Sequence, residues 1–114
     1  MCKICNNEYL ESKELIIDSC NKLTYNIFIK YTNINNISSL IIKNCLNLNM
    51  IPIINKLYKL NIDNCPKITF ILINTNLKYL TINNCINLET IPIIDALYYL
   101  YINNIIVSKK TIPS

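Results

Sequence analysis

The sequence contains no glycine, histidine, tryptophan, arginine or glutamine, and only one valine and one alanine. Each absence removes a class of chemistry. Without glycine, no phosphate-cradling loop of the Walker or dinucleotide type can be built. Without histidine there is no Ser-His or Cys-His couple and no imidazole metal ligand, so acid–base work would fall to lysines and carboxylates. These gaps argue against an enzyme. Long apolar runs are missing too: no stretch approaches the ~18 residues of a membrane span, and residues 1–10, with Lys3 and Glu8, do not resemble a signal peptide. The expected protein is soluble and cytoplasmic, with thiols that stay reduced.

What is present is equally lopsided. Isoleucine (25), asparagine (20), leucine (14) and lysine (11) dominate the 114 residues. Ile, Asn, Lys and Tyr are the residues of AT-rich codons, so the composition points to an AT-rich genome, as in large DNA viruses of amoebae or some protists; for a viral protein the compartment is the host cytoplasm. That bias is silent on activity. The formal net charge of +4 comes from lysines spread along the chain, with no run longer than Lys109-Lys110. Nucleic-acid binders cluster their charge, often as arginine. Neither nucleic acid nor membrane is therefore the expected partner. The length suits one domain with one continuous core.

Aligning the chain on its cysteines exposes a period. Cys45, Cys65 and Cys85 are 20 residues apart, and the next step lands on Ile105. The neighbours recur with them: Ile37, Leu40 and Ile42; Leu57, Leu60 and Ile62; Leu77, Leu80 and Ile82; Leu97, Leu100 and Ile102. After the cysteine come Leu48, Ile68 and Leu88, then Ile51, Ile71 and Ile91, with Pro52 and Pro92 following at once. A degenerate earlier copy, Leu15, Ile17, Cys20 and Leu23, stands 25 residues before the next cysteine; the five extra residues fall between Tyr25 and Ile37.

The alternation within each copy predicts a short strand buried on one face, because Leu60 and Ile62 point one way and Asn61 and Asp63 the other. No 20-residue unit can hide its own apolar face, so copies must stack and share a core. Two recurring residues read as structural. Cys20, Cys45, Cys65 and Cys85 sit where the strand ends and read as a buried thiol ladder. Asn44, Asn64, Asn84 and Asn104 precede the cysteine and are expected to adopt the left-handed turn conformation that glycine would otherwise supply.

The unit L-x-x-L-x-I-x-N-C-x-x-L-x-x-I-P resembles the pattern of the leucine-rich-repeat family. Its cysteine variant is similar to repeats of plant resistance proteins, and its length to the short repeats of bacterial effectors. The resemblance covers about residues 12–114. It implies an α/β-type solenoid: a right-handed superhelix with a short parallel β-sheet on the concave face and a mostly irregular or 3-10 convex side. On this reading residues 1–13 form an N-terminal cap, and 14–114 a domain of about five repeats. The implied function is a non-catalytic protein–protein interaction module. The alternative is a structural or self-associating repeat protein without a dedicated ligand.

In that family the strand residues that alternate with the core line the binding face. Here they form three columns: Glu14, Ser39, Lys59, Tyr79, Tyr99; Ile16, Ile41, Asn61, Thr81, Tyr101; and Asp18, Lys43, Asp63, Asn83, Asn103. Tyr79, Tyr99 and Tyr101, with Lys59, Asn61 and Thr81 beside them, are the candidate partner-binding residues, since tyrosine buries area while keeping a polar handle. Asp63 and Lys59 share a strand face, which reads as a weak surface ion pair and not as catalytic machinery. No cofactor is expected.

Cys2-x-x-Cys5 has the spacing of half a zinc site. It needs further ligands, the other cysteines are taken by the repeats, and histidine is absent, so a closed site within one chain is not expected; a site shared between two chains stays open. Residues 1–13 carry polar side chains able to cover the first repeat. Ile106, Val107 and Ile112 offer thin cover at the other end. End-to-end self-association, or a longer native array, is the resulting expectation.

Overall fold

Strands with Leu and Ile two positions apart need a neighbour on each side and a core beneath them. The computed structural model describes residues 2–72, 76–91 and 97–103 and the backbone of 110–111, and it provides both. In chain order the elements are β1 (Glu14–Asp18), the short helix α1 (Tyr25–Phe28), a 3-10 turn at Ile34–Asn36, β2 (Ser39–Lys43), β3 (Lys59–Asp63), β4 (Tyr79–Asn83), β5 (Thr90–Ile91), β6 (Tyr99–Asn103) and β7 (Lys110–Thr111).

The long strands form one five-stranded parallel sheet in the order β1-β2-β3-β4-β6, so each repeat lies beside the one before it. The first pair is offset by 25 residues, Leu15 against Leu40. The later pairs are offset by 20, as in Leu60 against Leu80. Leu15, Leu40, Leu60, Leu80 and Leu100 thus make one row, and Ile17, Ile42, Ile62, Ile82 and Ile102 another. The first four members of each row are buried in a single apolar cluster. At roughly 1.5–3 kcal/mol for each fully buried Leu or Ile side chain, these rows dominate the stability of the sheet. Away from the sheet the chain is largely irregular. Besides α1 and the 3-10 turn it carries a second, two-stranded parallel sheet, in which β5 and β7 pair with the same 20-residue offset, Thr90 against Lys110.

Between strand and cysteine the backbone turns through the left-handed region. Asn44, Asn64 and Asn84 have φ of 53°, 54° and 55°, and Ser19 takes the same place in the first repeat at φ 62°. Each donates its backbone N–H to the next repeat, as from Asn64 to the Asp63-equivalent carbonyl of Asn83 at 2.9 Å, which extends the sheet ladder by one residue. The asparagine side chains bridge repeats as well: Asn44 Nδ2 reaches Asp18 Oδ1 at 2.9 Å and Asn84 Nδ2 reaches Asp63 Oδ1 at 3.0 Å. Asn44, with Ser19, holds the Asp18 carboxyl below the usual carboxylate range, because both donate to its charged form. Asn104, the fourth residue of this column, lies outside the described residues, as do Pro92, Ile105, Ile106, Val107 and Ile112.

The longer first repeat carries α1 and the 3-10 turn. Thr24 caps α1, its hydroxyl accepting from the Ile27 amide at 3.4 Å. Phe28 is fully buried below it. Tyr31 is buried too, and its hydroxyl donates to the Glu8 carbonyl at 2.7 Å. The Thr32 amide binds Asn7 Oδ1 at 2.9 Å. The longer repeat thus grips the N-terminal segment, which in turn drives Ile4 and Leu10 into the shared core. Cover at this end is apolar beneath and polar outside.

Two positions differ from the sequence reading. Ser39, placed in an outward column, is 5% exposed: its short side chain lies in register between the longer Glu14 and Lys59, and its hydroxyl donates to Glu14 Oε2 at 3.2 Å. Leu100 continues a core row yet is 42% exposed, because β6 is an edge strand with β4 on one side only. Among the described residues no helix is long and apolar enough to cross a membrane.

Candidate functional site

The parallel register turns the six predicted partner-binding residues into a compact grid. Lys59, Tyr79 and Tyr99 lie in one row across β3, β4 and β6, and Asn61, Thr81 and Tyr101 in the next. All six lie on the face away from the core. Tyr79, Tyr99 and Tyr101 are about half exposed, at 40%, 51% and 44%. Lys59, Tyr79, Thr81 and Tyr99 line a shallow depression of about 410 Å³. Asn61 and Tyr101 lie beside it in the grid without lining it.

Sequence reasoning missed Tyr58, Lys78 and Tyr98. These precede the strands at the same phase of the repeat and are tied in series, Lys78 N–H to Tyr58 O at 2.8 Å and Tyr98 N–H to Lys78 O at 2.7 Å. The Tyr79 ring packs edge-to-face against Tyr58 on one side and Tyr98 on the other, with centroids 6.3 and 6.2 Å apart. Lys78 Nζ stands 5.4 Å from the Tyr98 centroid, within cation–π range. Tyr58 also lines the depression. The tyrosine surface therefore begins one residue before the strands. The period itself held the signal: positions 58, 78 and 98 read Tyr, Lys, Tyr.

A second cluster lies at the other end of the sheet. Cys45, Cys65 and Cys85 form the expected row of buried thiols, each donating to the carbonyl two residues earlier: Lys43 O at 3.4 Å, Asp63 O at 3.6 Å and Asn83 O at 3.5 Å. Burial pushes all three thiols up, Cys65 to about 12, partly offset by the amide of the preceding repeat's cysteine. Buried and pushed up, they carry little of the thiolate that makes a cysteine reactive.

Cys20 heads the same row but faces different partners. Its sulfur lies 3.4 Å from Cys5 Sγ, and the sulfurs of Cys2, Cys5 and Cys20 all lie within 4.8 Å of one another. The Cys5 amide points at Cys2 Sγ at 3.5 Å. Burial pushes the Cys20 thiol up. The Cys2 side chain and amide, the Cys5 side chain and the Lys22 amide outweigh it, leaving Cys20 below its ordinary value. Burial and the two neighbouring sulfurs hold Cys5 up at about 12, and Cys2 is raised chiefly by burial. Counting Cys20 into the ladder hid the third member of the group; spacing along the chain gives no sign that it meets residues 2–5.

All six cysteines are free thiols. No family model, no curated protein and no solved structure matches the chain.

Proposed function

We propose that the chain is a leucine-rich-repeat solenoid that acts as a non-catalytic protein–protein interaction module. The observation that carries the reading is the tyrosine surface centred on Tyr79, in which aromatic side chains from three neighbouring repeats meet on the side of the sheet facing away from the core. The 20-residue register of the sheet and the row of buried thiols support the repeat assignment. Half-exposed tyrosines flanked by Lys59, Lys78 and Thr81 suit a protein partner: the rings supply buried area and the hydroxyls and ammonium groups supply direction. The spread of the lysines speaks for protein over nucleic acid. The unpaired thiols fit a reducing compartment such as the cytoplasm, or the host cytoplasm for a viral protein.

The test is affinity purification of the tagged chain from its native cell, beside a variant carrying Tyr99→Ala and Tyr101→Ala. The reading expects a reproducible protein partner that the variant loses while its circular dichroism spectrum is unchanged. Equal recovery by both proteins removes the tyrosines from the interface.

A second reading has one observation in its favour: Leu100, a member of a core row, is exposed on the edge strand β6. An apolar open edge invites another strand. Here the chain is a structural repeat protein that associates end to end. Sedimentation over a range of concentrations separates the two, a strict monomer at high concentration excluding self-association.

A further inference from the structure

Cys20 breaks the rule set by its own row. Its counterparts each satisfy their thiol on a backbone carbonyl two residues earlier. Cys20 instead meets Cys5 Sγ at 3.4 Å, with Cys2 beside them. Thiols used as core filler have no reason to converge in threes, least of all where two of them are only partly buried.

The geometry points to a metal site: Cys2, Cys5 and Cys20 together bind one thiophilic d10 cation, zinc in the first place, with the fourth coordination position open to solvent or an added ligand. A zinc ion with Zn–S bonds of ~2.3 Å in a tetrahedral arrangement separates its sulfurs by roughly 3.8 Å. That value lies between the Cys5–Cys20 sulfur separation, 3.4 Å, and the 4.8 Å bound on the set. Sub-ångström shifts suffice to admit the ion.

The local backbone is shaped for the task. Cys2 and Cys5 sit on a tight turn closed by Asn6 N–H to Cys2 O at 3.1 Å, Asn7 N–H to Ile4 O at 3.0 Å and Glu8 N–H to Lys3 O at 2.9 Å. Asn7 ends it at φ 52°. The Cys5 amide aimed at Cys2 Sγ is the kind of outer-shell contact that steadies a metal-bound thiolate. Cys20 is fixed from the other side, because the Ser19 amide before it is tied to Lys43 O at 2.9 Å. Cys2 and Cys5 are only partly buried and give the ion a route from solvent, while Cys20 is 6% exposed. Soft sulfur ligands favour Zn²⁺ and Cu⁺ over hard cations such as Mg²⁺ or Ca²⁺. Each thiol that becomes a ligand releases its proton to water. The bound ion would clip the N-terminal turn to the first repeat. This inference does not depend on the leucine-rich-repeat reading or on any partner.

The test begins with the full chain, reduced and metal-free, titrated anaerobically with Co²⁺ as a spectroscopic stand-in. The expected result is a sulfur-to-cobalt charge-transfer band that saturates at one ion per chain and is displaced by one equivalent of Zn²⁺. A parallel titration with Cu⁺ ranks the two d10 ions. Cys2→Ser, at a partly buried position, is expected to remain folded and to weaken binding by about 100-fold or more, since even outer-shell losses cost 10–100-fold. Cys20→Ser should do the same. Cys65→Ser should bind like the parent chain. A metal-to-chain ratio near zero in protein with all six thiols reduced overturns the assignment. So does unchanged binding in Cys2→Ser, or a Cys5–Cys20 disulfide found by peptide mapping in place of the metal.

Discussion

Asn64 Nδ2 donates to Asn44 Oδ1 over 2.8 Å, one repeat away, while Asn44 itself reaches back to Asp18. At Asn44, Asn64 and Asn84 a single residue type thus does two jobs in a glycine-free chain. Its backbone accepts a left-handed conformation that most side chains resist, and its amide links successive repeats.

The two jobs can be separated at Asn64, which sits at φ 54°. Asn64→Gly keeps the turn and loses the bridge, and is expected to cost about 0.5–1.5 kcal/mol. Asn64→Ala loses the bridge and also the local side-chain hydrogen bonding that lets asparagine tolerate the left-handed region, adding about 1–2 kcal/mol. Urea denaturation of the two variants checks the order; equal midpoints contradict the conformational role.

The buried thiols make stability depend on pH at the alkaline end. Burial pushes Cys65 up to about 12 in the folded chain, while an unfolded cysteine titrates near 9. Between those values the folded state holds a proton that the unfolded state has lost. Stability is therefore full below pH ~9 and falls towards pH ~12, by about 1.4 kcal/mol per pH unit for each such thiol. Cys65→Ala should flatten that slope relative to the parent chain in denaturation curves taken across the window. An identical slope in both proteins contradicts it.

Tyr31 ties the first repeat to the N-terminal segment through its bond to the Glu8 carbonyl at 2.7 Å. Tyr31→Phe keeps the ring and leaves that carbonyl without its hydroxyl donor, at a cost of about 1 kcal/mol. Amide exchange should quicken first at residues 6–10. Uniform change across the sheet would show that the segment is not a local unit.

The tyrosine surface should matter little to folding. Tyr79→Ala removes two edge-to-face contacts at exposed positions, and a loss of about 1 kcal/mol is expected. Leu80→Ala, one residue on and fully buried, should cost about 2–5 kcal/mol. Thermal denaturation of the pair tests whether the strand's two faces are divided between partner and core. Similar losses argue against the division.

The sheet was legible in the sequence because its period is carried by side chains that must be buried. Leu60 and Ile62 name their own face, and the cysteine spacing names the register. The asparagine turns were legible for a different reason: without glycine, few residues can take positive φ. Burial at the edges was less so. Ser39 is covered by the reach of its neighbours, and Leu100 is uncovered by its place on the last strand of the sheet; neither follows from the pattern of one repeat. The candidate sites divide in the same way. Tyr79, Tyr99 and Tyr101 follow from strand register, and Tyr58 and Tyr98 from extending the same period by one position. The meeting of Cys20 with Cys2 and Cys5 depends on how residues 2–13 fold back over the first repeat, a long-range contact that leaves no trace in local spacing.

Successive repeats lie side by side in register, and through-space proton contacts in solution measure that directly. Nuclear Overhauser effects should link the backbones of residues twenty apart, Leu60 with Leu80 and Ile62 with Ile82, in the cross-strand pattern of a parallel sheet. Absence of these contacts, with sequential effects of a helical chain over residues 59–63 and 79–83, would contradict it.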